Sequence, residues 1–265
     1  FTVGTCPNTR AANVTINPIP SSPTVTSPVT YCEGASAVAL TAIGSNLLWY
    51  TSSSGGVGNA IAPIPSTAVV GTTSYFVSQT VTGCESSRSQ IDVVINPTPS
   101  APSITFTPNT YCVGQAIIAP TVASPVGTST YTWYSNPGLT TVLTVGTTPT
   151  NAQLNFSAVT ANTTTVYVTE TNTSNCESLA IAVTLTVGDV PTAFMSGNSS
   201  ICVGNSASLT VTLTGAAPWD IVYSDGTSTF PVNGIASSPH TIPVNPLIST
   251  TYSVVSVSNA SCGAG

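Results

Sequence analysis

The sequence predicts an all-β protein built from tandem β-sandwich domains. Three observations carry this: β-rich runs that alternate in polarity, a near absence of helix signals, and a fixed order of cysteine, tryptophan and tyrosine that returns about every 80 residues. The order first reads Tyr31-Cys32-Glu33-Gly34, Trp49-Tyr50, Tyr75, Gly83-Cys84-Glu85-Ser86. It returns as Tyr111-Cys112-Val113-Gly114, Trp133-Tyr134, Tyr167, Asn175-Cys176-Glu177-Ser178. It returns again, weakened, as Ile201-Cys202-Val203-Gly204, Trp219, Tyr252, Ser261-Cys262.

The predicted strands follow in order. Ala37-Val38-Ala39-Leu40-Thr41, Ser74-Tyr75-Phe76-Val77-Ser78 and Gln90-Ile91-Asp92-Val93-Val94-Ile95 belong to the first repeat. Val166-Tyr167-Val168-Thr169 and Ala182-Val183-Thr184-Leu185-Thr186-Val187 belong to the second. Clusters of Gly, Pro, Ser and Asn bound each run. About seven such strands per repeat make a sandwich. Prolines mark the joints: Asn17-Pro18-Ile19-Pro20, Asn96-Pro97-Thr98-Pro99 and Val190-Pro191. A proline fixes φ and lacks a donor, so each joint ends a strand and stiffens the link.

The resulting domains are 19–99, 100–189 and 190–265, expected head to tail in a rod. Residues 1–18 match the end of the next repeat, Cys84 to Asn96, and read as the last hairpin of an upstream repeat. The third domain is expected to lack its final strand. Two explanations stay open: a piece of a longer array, or a strand donated between molecules.

Composition narrows the function. Charged residues are 4% of the 265, against about 25% in ordinary proteins. Arg10 and Arg88 are the only cations and the formal net charge is −6. Such a surface cannot neutralise phosphates, which excludes nucleic-acid binding. No apolar run is long enough to span a bilayer as a helix, so membrane insertion is not expected. The hydrophobic fraction of 41% is enough to bury a core.

These residues resemble the CHU_C-associated immunoglobulin-like family. Within 19–97, the resemblance rests on Tyr31-Cys32-Glu33-Gly34, Leu47-Leu48-Trp49-Tyr50-Thr51, Gly71-Thr72-Thr73-Ser74-Tyr75-Phe76-Val77-Ser78-Gln79 and Gly83-Cys84-Glu85-Ser86-Ser87-Arg88. Residues 100–188 match more loosely, with insertions around 123–130 and 136–165. Residues 191–265 resemble a related PKD-like or gliding-motility-associated type through Gly215-Ala216-Ala217-Pro218-Trp219 and Tyr223-Ser224-Asp225-Gly226-Thr227. The resemblance implies long, secreted, cell-surface proteins of Bacteroidota, often exported by the type IX system and linked to adhesion or gliding.

The seven cysteines carry the only distinctive chemistry and favour an oxidising, extracellular location. They are far apart and form no Cys-x-x-Cys pair, so zinc is not expected. One scheme pairs them inside each domain: Cys32–Cys84, Cys112–Cys176, Cys202–Cys262. In an immunoglobulin strand order those partners sit at opposite poles, roughly 23 Å apart along a seven-residue strand. The favoured scheme therefore pairs Cys32 with Cys176 and Cys112 with Cys262. It leaves Cys6, Cys84 and Cys202 to partners outside the chain.

Trp49, Trp133 and Trp219 are expected on the third strand of each sandwich, with Tyr75, Tyr167 and Tyr252, as core aromatics. The competing role is a sugar-stacking platform. Sequons at Asn13, Asn155, Asn162, Asn172, Asn198 and Asn259 are possible glycosylation sites, although a chain so rich in Asn, Ser and Thr makes them by chance. His240 reads as a surface-loop residue, and Asp220 with Asp225 offers too few oxygens for calcium. Arg88 reads as a turn residue within reach of a neighbouring carboxylate. Glu33, Glu85 and Glu177 read as solvating residues at the domain poles.

No catalytic residue, cofactor or metal site is expected. The expected role is structural: a mechanically stable segment of an extracellular adhesin or filament, with neighbouring repeats or copies of itself as partners. The alternatives are a module binding glycans or a receptor through the enlarged loops at 136–165, and an accessory region of a larger secreted enzyme.

Overall fold

A computed structural model describes residues 12–260 and Cys262. These residues form twenty strands and no helix. They divide into two compact units. One reaches Thr98 and includes Ser174–Cys176; the other holds Pro99–Thr173 and Glu177 onward.

The first unit contains β1 (Thr24–Val25), β2 (Val29–Cys32), β3 (Ala42–Ile43), β4 (Leu47–Tyr50), β5 (Gly71–Val81), β6 (Cys84–Glu85) and β7 (Ser89–Asn96). Its main sheet runs β2-β7-β5-β4, with β6 folded onto β5, and β1 pairs with β3 in a second small sheet. Strand β7 is antiparallel to β5 and parallel to β2. Its sequence dictates this central place. Ile91, Val93 and Ile95 point to one face and are buried, while the residues between them are more exposed. They pack with Leu40, Trp49 and Val77 to form the core.

The strand expected at Ala37–Thr41 does not form; only Ala42 and Ile43 pair, with Val25 and Thr24. The reason lies across the gap. Leu40 N–H donates to Pro63 O at 2.9 Å. Pro63 and Pro65 lack the donors that a ladder would need in return. The hairpin expected over residues 1–18 lies partly outside the described residues, and Ala12–Pro18 carries no strand. Val14 and Ile16 there are 86% and 88% exposed.

The second unit begins with β8 (Ile104–Thr105), β9 (Thr110–Cys112), β10 (Thr121–Val122), β11 (Thr130–Tyr134), β12 (Val142–Val145), β13 (Asn162–Thr171) and β14 (Ile181–Gly188). The main sheet is β12-β11-β13-β14-β9, and β10 pairs with β8. As in the first repeat, the last strand, β14, runs parallel to the strand that ends in a cysteine, β9. The core gathers Tyr111, Trp133, Val166, Val168, Val183, Leu185 and Val187. Leu154, Phe156 and Ala158 join it from the enlarged loop.

The third repeat contributes β15 (Thr192–Ser196), β16 (Ala207–Thr214), β17 (Trp219–Ser224), β18 (Thr229–Ile235), β19 (His240–Val244) and β20 (Ser253–Asn259). They form two three-stranded sheets, β15-β16-β19 and β18-β17-β20, around Leu209, Val211, Ile221, Ile242 and Val257. His240 opens β19 opposite Val211, rather than lying in a loop.

The expected aromatic core is corrected in one place. Trp49 faces Val77 and Trp133 faces Val168, so Val166 is the counterpart of Tyr75, and Tyr167 that of Phe76. The tyrosine recurrence slips by one residue, which turns Tyr167 to the opposite face. Tyr75 and Tyr252 are half-buried against their cores; Tyr167 is half-buried and outside its core cluster. Trp219 lies on β17 in its core, as expected, opposite Asn259 at the end of β20.

Candidate functional site

The cysteines sit where strand pairing puts them. Cys32 ends β2 and registers on Asn96, the last residue of β7. Cys84 lies five residues before β7 begins. The full length of β7, about 26 Å at 3.3 Å per residue, thus separates the two. Cys112 registers on Gly188 at the end of β14, and Cys176 lies five residues before β14 begins. Pairing inside either repeat is sterically impossible, because disulfide Cα atoms lie within about 7 Å. The structure instead forms Cys32–Cys176 and Cys112–Cys262, each with Cα atoms 5.5 Å apart. The bridged residues are 144 and 150 positions apart in sequence. Cys84 and Cys202 carry no disulfide, and Cys6 lies outside the described residues.

Each repeat has its own lock at the turn cysteine, whether or not that cysteine is bridged. In the first repeat, Glu85 Oε1 accepts from Tyr50 Oη at 2.5 Å and from Ser78 Oγ at 2.6 Å. Ser86 Oγ accepts the Gln79 N–H at 3.0 Å and donates to Ser87 O. The second repeat repeats this atom for atom. Glu177 Oε1 accepts from Tyr134 Oη at 3.0 Å and Thr169 Oγ1 at 2.6 Å. Ser178 Oγ accepts the Glu170 N–H and donates to Leu179 O. In both, the residue just before the glutamate is the cysteine. Three adjacent strands therefore hold its backbone. The third repeat lacks the glutamate and uses Asn259: its Oδ1 accepts the Cys262 N–H at 2.6 Å, and its N–H donates to Cys262 O.

The hydroxyl donors leave an electrostatic signature. Hydrogen bonds from Ser78 and Tyr50, with the nearby Arg88 charge, hold the Glu85 carboxyl below its usual range. Burial, and then the bond to Glu177, push the Tyr134 hydroxyl up. Arg88 caps the first lock, its guanidinium 3.3 Å from the Tyr50 ring centroid and its Nη1 donating to Ser52 O at 2.6 Å. It thus binds an aromatic face rather than a neighbour's carboxylate.

The model of the family described as "Ig-like domain CHU_C associated" matches residues 20–97 and 99–188, more than half of the chain. The chain belongs to this family. The CHU_C-associated chain also has matches among solved structures. Mouse nectin-like molecule 4, full ectodomain Ig1–Ig3, is 16% identical over 89% of this chain and 94% of that one, with a TM-score of 0.39. A variant of titin domains I67–I69 is 10% identical over 92% and 94%, TM-score 0.36. Drosophila OTK extracellular domains 3–5 are 11% identical over 91% and 92%, TM-score 0.33. No curated protein matches the chain.

Other candidate residues of the CHU_C-associated chain are already committed. Trp49, Trp133 and Trp219 are 5%, 0% and 7% exposed, so none presents a ring face for stacking on a sugar. Asp225 Oδ1 accepts the Thr227 and Ser228 N–H groups, and Asp220 Oδ1 accepts that of Gly234. Among the described residues no group of three or more His, Cys, Asp or Glu gathers as for a metal. Of the sequons, Asn13, Asn155, Asn162 and Asn198 are exposed and Asn172 is half-buried. Asn259 has both ends of its amide engaged, with Nδ2 on Ala216 O. Glu85 and Glu177, read from the sequence as solvating the domain poles, instead accept hydroxyl hydrogen bonds within their own repeats. The available signal was the joint recurrence of Trp-Tyr, a hydroxyl residue late in the long strand, and Cys-Glu-Ser.

Proposed function

We propose that this chain is a structural, load-bearing segment of an extracellular adhesin or filament. The observation that carries the reading is the pair of interlocked bridges. Cys32–Cys176 spans Cys112, and Cys112–Cys262 spans Cys176. Each bridge joins the cysteine that ends β2 or β9 to the turn cysteine of the next repeat. A bridge placed this way limits how far the chain can be drawn out once a repeat unfolds. The disulfides favour an oxidising, extracellular or cell-surface location. Few charges, buried tryptophans and a filled enlarged loop all favour architecture over catalysis. Export by the type IX system and a role in surface adhesion follow from the family resemblance.

Single-molecule stretching between the chain ends tests it. With both bridges intact, the shortest covalent path crosses from Cys32 to Cys176, returns to Cys112 and crosses to Cys262. The extension at full unfolding should be well under half of that after reduction, at about 3.5 Å per residue. Equal extensions in the two states would refute a load-limiting role.

A further inference from the structure

The third repeat gathers three aromatic rings at one end of its sandwich. Tyr223, next to last in β17, registers on Phe230, the second residue of β18. Tyr252 immediately precedes β20. The Tyr223 and Phe230 rings are stacked with centroids 5.1 Å apart; those of Tyr223 and Tyr252 are tilted and 6.3 Å apart. All three line a cavity of about 650 Å³. Packing does not use up these apolar groups. Phe230 is 37% exposed, and Leu247 and Ile248 on the same cavity are 73% and 80% exposed.

A carboxylate lines the cavity too. Asp225 stands in the turn between β17 and β18. Its Oδ1 accepts the Ser228 N–H at 2.7 Å and the Thr227 N–H at 2.8 Å, and among the described residues nothing donates to Oδ2. The Ser228 and Thr227 donors hold this carboxyl below its usual range, so it is ionised at neutral pH. Burial pushes the Tyr252 hydroxyl up, and the nearby Asp225 charge and Tyr223 push it further. The negative charge therefore sits beside the rings. The described residues hold no lysine and one arginine, Arg88, which is already committed to the first repeat.

That first repeat shows what such a set of groups holds. Its Tyr50 ring carries the Arg88 guanidinium 3.3 Å from the centroid, with the Glu85 carboxylate near enough to feel the charge. The third repeat has more rings and a carboxylate, but no arginine of its own among the described residues.

We propose that the cavity walled by Tyr223, Phe230 and Tyr252 binds an arginine side chain of a partner polypeptide, with Asp225 as its counter-charge. A plane inserted between two rings needs a separation of about 7 Å, two van der Waals contacts. The rings are closer than that, so the guanidinium lies against the open side of the cluster, where Phe230 is exposed. There its face meets a π-surface and its fork donates to Asp225 Oδ2. The three methylenes of its stem run along Leu247 and Ile248. A planar, weakly hydrated guanidinium satisfies rings and carboxylate together better than a strongly hydrated ammonium does. A neutral ligand would meet the rings but leave the Asp225 charge uncompensated. Neither bridge takes part, so the site is a function beyond load bearing and stands independently of it.

The test titrates the whole isotope-labelled chain, with both bridges intact, with N-acetyl-arginine methylamide at low salt and follows the backbone amides by NMR. The amides of Gly226, Thr227 and Thr251 should shift, with a dissociation constant of about 10 mM or tighter. Those around Tyr50 and Arg88 should not. The citrulline analogue, which has the same shape without the charge, should bind more than about tenfold more weakly. Asp225→Asn keeps the Oδ1 acceptor of the turn and should weaken binding about five- to tenfold. Phe230→Leu, at an exposed position, should weaken it about threefold. Unmoved amides elsewhere in both variants show that the fold is kept. A short peptide with one central arginine should bind at least as tightly as the blocked residue. Shifts absent from the turn and loop, equal binding of the citrulline analogue, or binding unchanged by Asp225→Asn would overturn the proposal. So would a cavity that admits the blocked residue but excludes the peptide, or one that takes a neutral disaccharide in place of the arginine probe.

Discussion

Glu85 shows how one carboxylate holds a cysteine-bearing turn. It lies at the surface, yet it accepts two hydroxyl hydrogen bonds and sits near Arg88. Hydrogen bonds to an ionised acceptor are stronger than neutral ones. Its folded pKa lies below its unfolded value, so its contribution to stability is present above the unfolded pKa, about 4.3. That contribution is lost as pH falls through the lowered folded value. Glu85→Gln should therefore lower the urea midpoint at pH 7. The gap from wild type should hold steady down to about pH 5 and close below about pH 4. Urea titrations of both proteins across this range check it; a gap that widens on acidification would contradict the lock. Exposure to solvent keeps the effect small, at most about 1 kcal/mol.

At the level of elements, the enlarged loop of the second repeat is a plug. Leu154 and Phe156 are 0% and 5% exposed and pack with Trp133, Val166 and Val168. Asn151 ties the loop to Ile117 O through Nδ2 at 2.8 Å. Leu154→Ala should destabilise the second repeat by about 2–4 kcal/mol through the cavity it leaves. Hydrogen exchange should locate the loss in β11 and β13; a loss below about 0.5 kcal/mol would mean that the loop is a free surface loop.

The strands were legible wherever burial alternates with period two, as in β7 and β14. Ala37–Thr41 reads as a β-rich run too, but it faces a proline-bearing segment, and no local pattern reveals a missing donor across a gap. The cysteine pairing was legible because it depends only on which end of a strand each cysteine occupies. The Tyr50–Ser78–Glu85 lock was not, since it depends on register between three strands. The same dependence hid the one-residue slip between Tyr75 and Tyr167.

For the whole molecule, the bridges and the cores are separate devices. The three core clusters include neither Cys32, Cys112, Cys176 nor Cys262. Each core is a complete set of apolar side chains drawn from one repeat. Reduction without denaturant should therefore leave the tryptophans buried, with emission still blue-shifted and β-sheet circular dichroism unchanged. The bridges act instead on the unfolded chain. Closing loops of 144 and 150 residues removes configurational entropy worth about 5 kcal/mol each in the chain-entropy picture. This term counts in full only when the repeats at both ends of a bridge unfold together. Reduced and alkylated chain should consequently unfold at lower urea. Cys32→Ser with Cys176→Ser should shift the first and second repeats, while Cys112→Ser with Cys262→Ser should shift the second and third. Tryptophan fluorescence read from variants that keep a single tryptophan, at Trp49, Trp133 or Trp219, separates the three transitions. If reduction alone exposed the tryptophans, the cores would depend on the bridges and the two devices would be one.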